Sequence, residues 1–582
     1  MRDEIQRSQD KVWLQLRFSD FAKRFLRSLS VCALILPPLA SGQPAPLVTP
    51  RDLRPELQAP PAATLPLPAP SEIPPQSENL FVSISEVKVS GSYPELESNT
   101  FALLSEVKGK RIAVSEFYKL ADAVEGLYRN AGYLLVRVLV PPQTVKDGEP
   151  LQLTVLDGFI EKLDATTVPA RARTQVLATL EPLAGRRRLT NDDLERLLTL
   201  AGRGPGLTLR STLSQGTVAG GVILVLEGKF DSFGGSVSVD NRSSTRLHPW
   251  QSTIQIRENQ LMGIGEQAYA YVSGGVNPTR AVRSSAPRRV IGGGVIVPLG
   301  INGLTFNPEF TWSNTVTAAS DFVPVTESQF QRYTLRLSYP LILTRQVELN
   351  ITGALEASNQ RNLAPDFDVT FNQDRLRVLR LGADWSTSVS FNPDARLRVS
   401  TIVSKGLRGI GARSIADAEA SGIPLSRLGT GPDFLKFEAG AVYDQPLALN
   451  VLSHTSLRLQ KARKLLPTAE LFSLDGEDAL STFRAGSLSD DNGWTLRQEV
   501  SRQFAMPATG GALRLIGYGF GAVGRGYTDA TNSTQRHSST SLGVGLRAGW
   551  QMVNLSMEYG RRRSHPNNFD GNQLFVKGQV QF

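Results

Sequence analysis

Two periodicities divide the chain. From residue 80 to 228, short alternating apolar runs are interleaved with stretches whose apolar positions recur every three or four residues; beyond Phe230 alternation takes over almost completely. The first segment opens with FVSISEVKVSG, an alternating strand that turns Val82, Ile84, Val87 and Val89 inward. Helical spacing follows at Phe101 to Leu104 and again from Val114 to Asn130, where Phe117, Leu120, Val124 and Leu127 line one face. Gly132 stands where a helix tolerates a left-handed end, and YLLVRVLVPP and PLQLTVLDG read as two further strands. The order strand, helix, helix, strand, strand then repeats less regularly in FIEKLDATT, ARTQVLATLEPL, TNDDLERLLTLAG, GLTLRSTLS and GGVILVLEG. Thr190 or Asn191 can cap the second helix of this repeat, with Asp192 and Asp193 suiting its positive end. The pattern predicts two small α+β domains, at 80–157 and 158–228.

Residues 229–582 predict a sheet with two unlike faces. VELNITGALEAS places Val347, Leu349, Ile351, Gly353 and Leu355 opposite Glu348, Asn350, Thr352 and Glu356; VLRLGADWSTSV places Leu379, Leu381, Ala383 and Trp385 opposite Arg380, Asp384 and Ser386. About sixteen such segments occur between turn-forming or polar stretches. Each is about ten residues long, enough for a tilted membrane strand, whereas no run approaches the roughly 20 apolar residues of a spanning helix. Inside a bilayer every backbone group needs an internal partner, so such strands must close on themselves. The expected fold is therefore a membrane β-barrel of about 16 antiparallel strands preceded by two α+β domains. The last strand, LFVKGQVQF, alternates Leu574, Val576, Gly578, Val580 and Phe582 with Phe575, Lys577, Gln579 and Gln581. A soluble β-sandwich would give no reason for it.

Composition adds an address and removes several chemistries. Lys23, Arg24 and Arg27 precede the apolar LSVCALILPPLA and the small residues of ASGQPAP, the order of a secretory signal over 1–42 with a cut near Ala40 to Gln43. Residues 43–79 are rich in Pro and Ala and predict a semi-rigid spacer. The single cysteine, Cys32, lies inside the signal, so the exported chain would carry no disulfide and no thiol nucleophile. The net charge of +9 is scattered rather than clustered, which suits lumenal or solvated arginines and not a nucleic-acid surface.

The two repeats, ending in LTVLDG and LVLEG, resemble POTRA domains, the polypeptide-transport modules that precede outer-membrane barrels. FGGSVSVDNRSSTRLHPWQ, with Asp240 and Asn241, resembles the first barrel strand of the two-partner secretion (TpsB-type) transporters. LRLQKARKLLPTAELFSLDGEDALSTFRAGSLSDDNGWTLRQEV resembles the segment holding their sixth extracellular loop. Phe472, Leu474, Gly476, Phe483, Gly486, Gly493, Trp494, Arg497 and Glu499 match that pattern, and the resemblance covers about 80 to 582. It implies export of a large secreted partner of haemolysin, adhesin or haemagglutinin type, without nucleotide hydrolysis or cofactor. The unfolded client would be held by POTRA edges through main-chain hydrogen bonds, in an outer membrane whose lipid surrounds the barrel. Phe582 would be the signal read by the barrel-assembly machinery. In the family a Val-Arg-Gly-Tyr/Phe loop tip folds into the lumen, its Arg held by a wall Asp. Here the tip reads Leu480, Ser481, Thr482, Phe483, followed by Arg484, and the wall strand with Phe520 and Gly524 has Ala522 in place of Asp. Both partners of the lock are missing together, the inexpensive way to lose a buried pair; Phe483 and Arg484 are the candidate replacements.

Other signals are weaker. GLRGIGA at 406–412 lacks the strand-to-helix crossover a phosphate cradle needs and reads as a turn. His248, His454, His537 and His565 are isolated, so neither metal nor triad chemistry is indicated. Glu348 and Glu356 fall on a polar face and read as pore lining. A BamA-like assembly factor is the alternative function; the two-domain arm and the FSLDG to NGW segment favour export. A porin would need no arm, and a barrel hydrolase would need a Ser-His constellation. Family exporters often begin with a pore-plugging helix, for which the Pro-rich spacer leaves little room.

Overall fold

The computed structural model describes residue 75 and residues 77–276, 286–317, 324–389, 392–508, 511–530, 533–566 and 569–582. The expected signal, Cys32, most of the spacer and any plug lie outside these residues.

The first α+β unit contains β1 (Phe81–Ser83), β2 (Val87–Ser90), α1 (Glu97–Ser105), β3 (Arg111–Ala113), α2 (Val114–Asn130), β4 (Arg137–Leu139) and β5 (Leu151–Leu156). FVSISEVKVSG is two strands rather than one: β1 pairs with β3, and the chain then turns so that β2 pairs parallel with β5. Alternation survives the break because Val82 and Ile84 both stay in the core with Phe117, Val124, Tyr128 and Leu153. YLLVRVLVPP contracts to the three residues of β4, because Leu135 packs into the next unit instead.

That second unit contains β6 (Phe159–Asp164), α3 (Ala170–Leu180), α4 (Asn191–Gly202), β7 (Leu207–Gln215) and β8 (Gly221–Phe230), in the sheet order β6-β8-β7. Thr190 is the cap of α4, its hydroxyl accepting from Asp193 N at 3.2 Å. Asp157, at the end of the first unit, accepts from the Tyr93 hydroxyl at 2.5 Å and ties the units by accepting from Arg188 N of the second at 3.2 Å. Burial, and then the adjacent carboxylate, push that hydroxyl far above the ordinary tyrosine range.

The barrel runs from β9 (Phe233–Asp240) through β10 (Gln251–Asn259), β11 (Gln267–Gly274), β12 (Arg288–Pro298) and β13 (Thr305–Thr317). It continues through β14 (Thr326–Leu343), β15 (Val347–Ala364), β16 (Val369–Val389), β17 (Asn392–Gly406), β18 (Leu435–Leu447) and β19 (Val451–Ala462). A two-rung hairpin, β20 (Phe472–Ser473) and β21 (Ser489–Asp490), interrupts the wall. β22 (Asn492–Ala508), β23 (Gly511–Ala530), β24 (Ser533–Trp550), β25 (Val553–His565) and β26 (Phe569–Gln581) complete it. All sixteen wall strands pair with their neighbours, and β26 closes antiparallel on β9. Alternation sorts the faces as expected: Leu379, Leu381 and Trp385 point outward and exposed, while Arg380 between them points into the lumen.

Closure is uneven. β15 and β16 share eighteen register pairs, but β9 and β26 share only five, from Lys577 opposite Asp240 to Gln581 opposite Ser236. The Asn241 side chain extends this seam by imitating a peptide, Nδ2 donating to Leu574 O at 3.1 Å and Oδ1 accepting from Val576 N at 2.9 Å. At the other end Phe582 exchanges two backbone hydrogen bonds with Gly235, and its ring stacks on Phe233.

The second α+β unit is bolted to one barrel rim. Arg203 meets Glu348 at 2.6 Å, Arg196 donates to Pro340 O at 3.1 Å, and Gln260 donates to Pro205 O at 3.0 Å. Glu348 thus serves this joint and not the pore; Glu356 does face the lumen, beside Arg380.

Candidate functional site

The connection from β19 to β22 leaves the rim opposite the arm and folds back into the lumen. β20 and β21 fix its shape, and Asp475, wholly buried, accepts from Leu488 N at 3.1 Å, Gly486 N at 3.3 Å and Ser473 Oγ at 3.0 Å. A carboxylate in a low-dielectric interior is tolerated when its lone pairs are filled this way. Phe472, Leu474, Leu480, Phe483 and Leu488 then form an apolar plate that lies on Ala522. Two glycines make room: a Cβ at Gly524 would stand 3.1 Å from Leu480 Cδ1, and one at Gly493 2.9 Å from Phe472 Cδ1. Trp494, next to Gly493, points the other way, toward the outside of the wall.

The tip is buried. Ser481 and Thr482 are at most 1 % exposed, and Thr482 Oγ1 lies 2.5 Å from Ser541 Oγ on β24. The charge absent from position 481 comes from the wall. Arg497 on β22 sits directly across the strand pair from Ala522 and donates from Nη1 to Ser481 Oγ at 2.5 Å. Its Nη2 reaches Glu499 at 2.9 Å and Glu558 on β25 at 3.3 Å, and its guanidinium covers the Phe520 ring at 4.0 Å. The lock expected between a loop arginine and a wall aspartate is transposed: the wall supplies the arginine and the loop a neutral acceptor. Arg547 and Tyr518 complete the carboxylate shell, at 2.5 Å from Glu499 and 3.1 Å from Glu558.

A second set of contacts joins the tip to the barrel seam. Arg484 Nη1 donates to Asn241 O at 2.6 Å and Ser243 O at 3.0 Å, just beyond β9. Arg242 donates to Ser481 O at 2.9 Å and pairs with Glu558 at 3.6 Å. Both guanidiniums lie over Phe575 of β26, at 4.5 Å for Arg242 and 5.6 Å for Arg484. Higher up, Glu470 receives Arg380 at 2.6 Å and Lys436 at 2.9 Å, and Asp491 receives Arg427 through both oxygens.

Of the residues singled out by sequence, Leu480 to Arg484, Gly486, Gly493, Phe520, Ala522 and Gly524 come together here, while Phe582 lies apart at the seam. Arg242, Glu558, Arg547 and Tyr518 were not anticipated. Alternation gives their lumenal side; nothing in it pairs Arg497 with a carboxylate 61 residues away. Among the described residues no cluster of His, Cys, Asp or Glu is arranged to hold a metal, and no helix is long and apolar enough to cross a membrane. His454 and His537 each meet one aspartate, Asp444 and Asp490.

A closed sixteen-strand barrel with an apolar exterior, an α+β arm on one rim and a polar-bolted loop in its lumen defines an outer-membrane transport barrel. Residues 221–548 match the model for the haemolysin secretion/activation proteins ShlB/FhaC/HecB, and residues 82–158 that for the ShlB-type POTRA domain. The chain belongs to this ShlB/FhaC/HecB family. It is 22 % identical over 445 residues to the outer membrane transporter CdiB of Escherichia coli O6:K15:H31, covering 75 % of this chain and 71 % of that one. It is 24 % identical over 467 residues to the hemolysin transporter protein ShlB of Serratia marcescens, 78 % of each. The solved structure of CdiB from Escherichia coli matches with a TM-score of 0.68 at 19 % identity, over 88 % of this chain and 92 % of that one. The barrel accordingly lies in the outer membrane with its POTRA domain in the periplasm, and the loop enters the lumen from the outer rim.

Proposed function

We propose that this barrel exports one large secreted protein of haemolysin, adhesin or haemagglutinin type, which passes through the lumen when the β19–β22 loop moves aside. The observation that carries this reading is the nature of the bolt. Its tip is held by hydrogen bonds and ion pairs that water or a passing polypeptide can replace group for group. The apolar plate between tip and wall is small, five side chains resting on Ala522. Residues 158–228 act as a second POTRA domain, and the open edge of β7 offers main-chain donors and acceptors to an extended client. Residues 1–42 serve as the export signal, 43–79 as the spacer, and Phe582 as the handle for barrel assembly. No nucleotide is needed if the client folds only outside, because the folded product cannot re-enter.

The exported chain has no other cysteine, so a lock can be introduced cleanly. Thr482→Cys with Ser541→Cys joins tip to wall. Oxidised, it should stop release of the secreted partner protein; reduced, it should restore release to the level of the parent. Undiminished secretion with the crosslink fully formed would show that the client does not pass this loop.

A further inference from the structure

The outward face of β23–β26 changes character abruptly at one height. From the periplasmic rim, Trp550, Leu546, Val544 and Leu542 on β24 and Leu555, Met557 and Tyr559 on β25 form an apolar wall, each at least 40 % exposed. The next outward positions are Arg561 and Arg563 on β25, Arg536 on β24 and Arg525 on β23, all exposed. Register sets them side by side: Arg561 lies beside Leu542, Arg563 beside Thr540, Arg525 beside Ser538, and Arg536 beside Tyr527. Asp570 on β26 holds Arg561 through both oxygens at 2.7 and 2.8 Å and reaches Arg563 at 3.5 Å. One carboxylate therefore orients two guanidiniums without saturating their donors, and Arg525 and Arg536 have no ion pair among the described residues.

We propose that this patch is a docking surface for a phosphate-bearing lipid of the outer leaflet. Arginines that only snorkel out of an apolar wall serve either rim equally well. Here the periplasmic ends of the same strands turn Leu513, Leu515, Trp550, Val553, Val580 and Phe582 outward and no charge. The four planar guanidiniums form a band above the apolar wall that steps along β24 from Leu542 through Thr540 and Ser538 to Arg536, so that neighbouring arginines can take a phosphate in pairs through its oxygens. The source is a lipid rather than a free anion, because Leu542 and Tyr559 directly below give acyl chains a continuous apolar path. Tyr559, opposite Val544, closes the apolar wall, and Tyr527, opposite Arg536, stands within the arginine band.

Full-length protein in detergent, titrated with bis-phosphorylated lipid A at about 150 mM salt, should bind it saturably. Affinity should fall about fivefold for each guanidinium removed, so about 25-fold for Arg561→Gln with Arg563→Gln. Arg525→Gln with Arg536→Gln should weaken it similarly, which keeps the test alive if the first pair fails to fold. Arg502→Gln, at an outward arginine nearer the periplasmic rim, should change nothing. Equal affinity for fully dephosphorylated lipid A, equal loss in the Arg502 variant, or inorganic phosphate binding as tightly as the lipid would each overturn the assignment.

Discussion

Arg497 has a side chain 2 % exposed, between two carboxylates and a serine hydroxyl. A guanidinium cannot shed its proton to escape burial, so its stability there depends on those neighbours being present. Arg497→Met would leave Glu499 and Glu558 partly stranded. A broken buried pair costs about 3–5 kcal/mol, and the lower end applies because Arg547 and Arg242 remain in reach. Urea unfolding in detergent should register this loss, and adding Glu558→Gln should recover part of it. If the double variant proved less stable than the parent by the full sum of the two single losses, these groups would not form one network. The joint replacement of the family's loop arginine and wall aspartate was readable in Ser481 and Ala522. That Arg497 takes over was not, since one-dimensional alternation assigns a face to a residue and no neighbour across the lumen.

At the scale of elements, the loop and the seam are mechanically one feature. Only five register pairs join β9 to β26, yet Arg242, Arg484 and Asn241 draw the loop tip, the first strand and the last strand together. Asn241→Ala removes two hydrogen bonds that act as a sixth rung, worth about 1–3 kcal/mol together. Amide exchange at Val576 should accelerate about tenfold or more, while exchange in β15 and β16, with their long shared register, should stay as it was. Equal acceleration in both places would mean that the barrel opens as a whole and has no weak seam. The strands themselves were legible: LFVKGQVQF does turn Phe575 inward and Leu574 outward. Register was not, because any shift by two residues preserves the alternation. In the first α+β unit, where strands are three to six residues long, even boundaries escaped, as the split of FVSISEVKVSG shows.

For the molecule as a whole, the joint between arm and barrel sets which side of the periplasmic rim stays uncovered. The second α+β unit stands beneath the turns after β10 and β14, held by Arg203 with Glu348, Arg196 with Pro340 and Gln260 with Pro205. On the opposite side of the periplasmic rim a cleft of about 320 Å³ opens under the loop, lined by Glu477, Arg514, Arg547 and Lys577 among others. An arm fixed to one side leaves that cleft uncovered; a loose arm would sweep across it. The Arg203–Glu348 pair is partly exposed, and each of the three contacts singly contributes on the order of 1 kcal/mol, so rigidity must come from their number. Arg203→Glu opposes Glu348 with a like charge and should broaden the distance distribution between spin labels on α4 and on β17. Adding Glu348→Arg restores an opposite pair and should narrow the distribution again. A charge swap that fails to narrow it would place the rigidity elsewhere, in the backbone hydrogen bond from Asp231 N to Gly206 O and the close packing around Gly206.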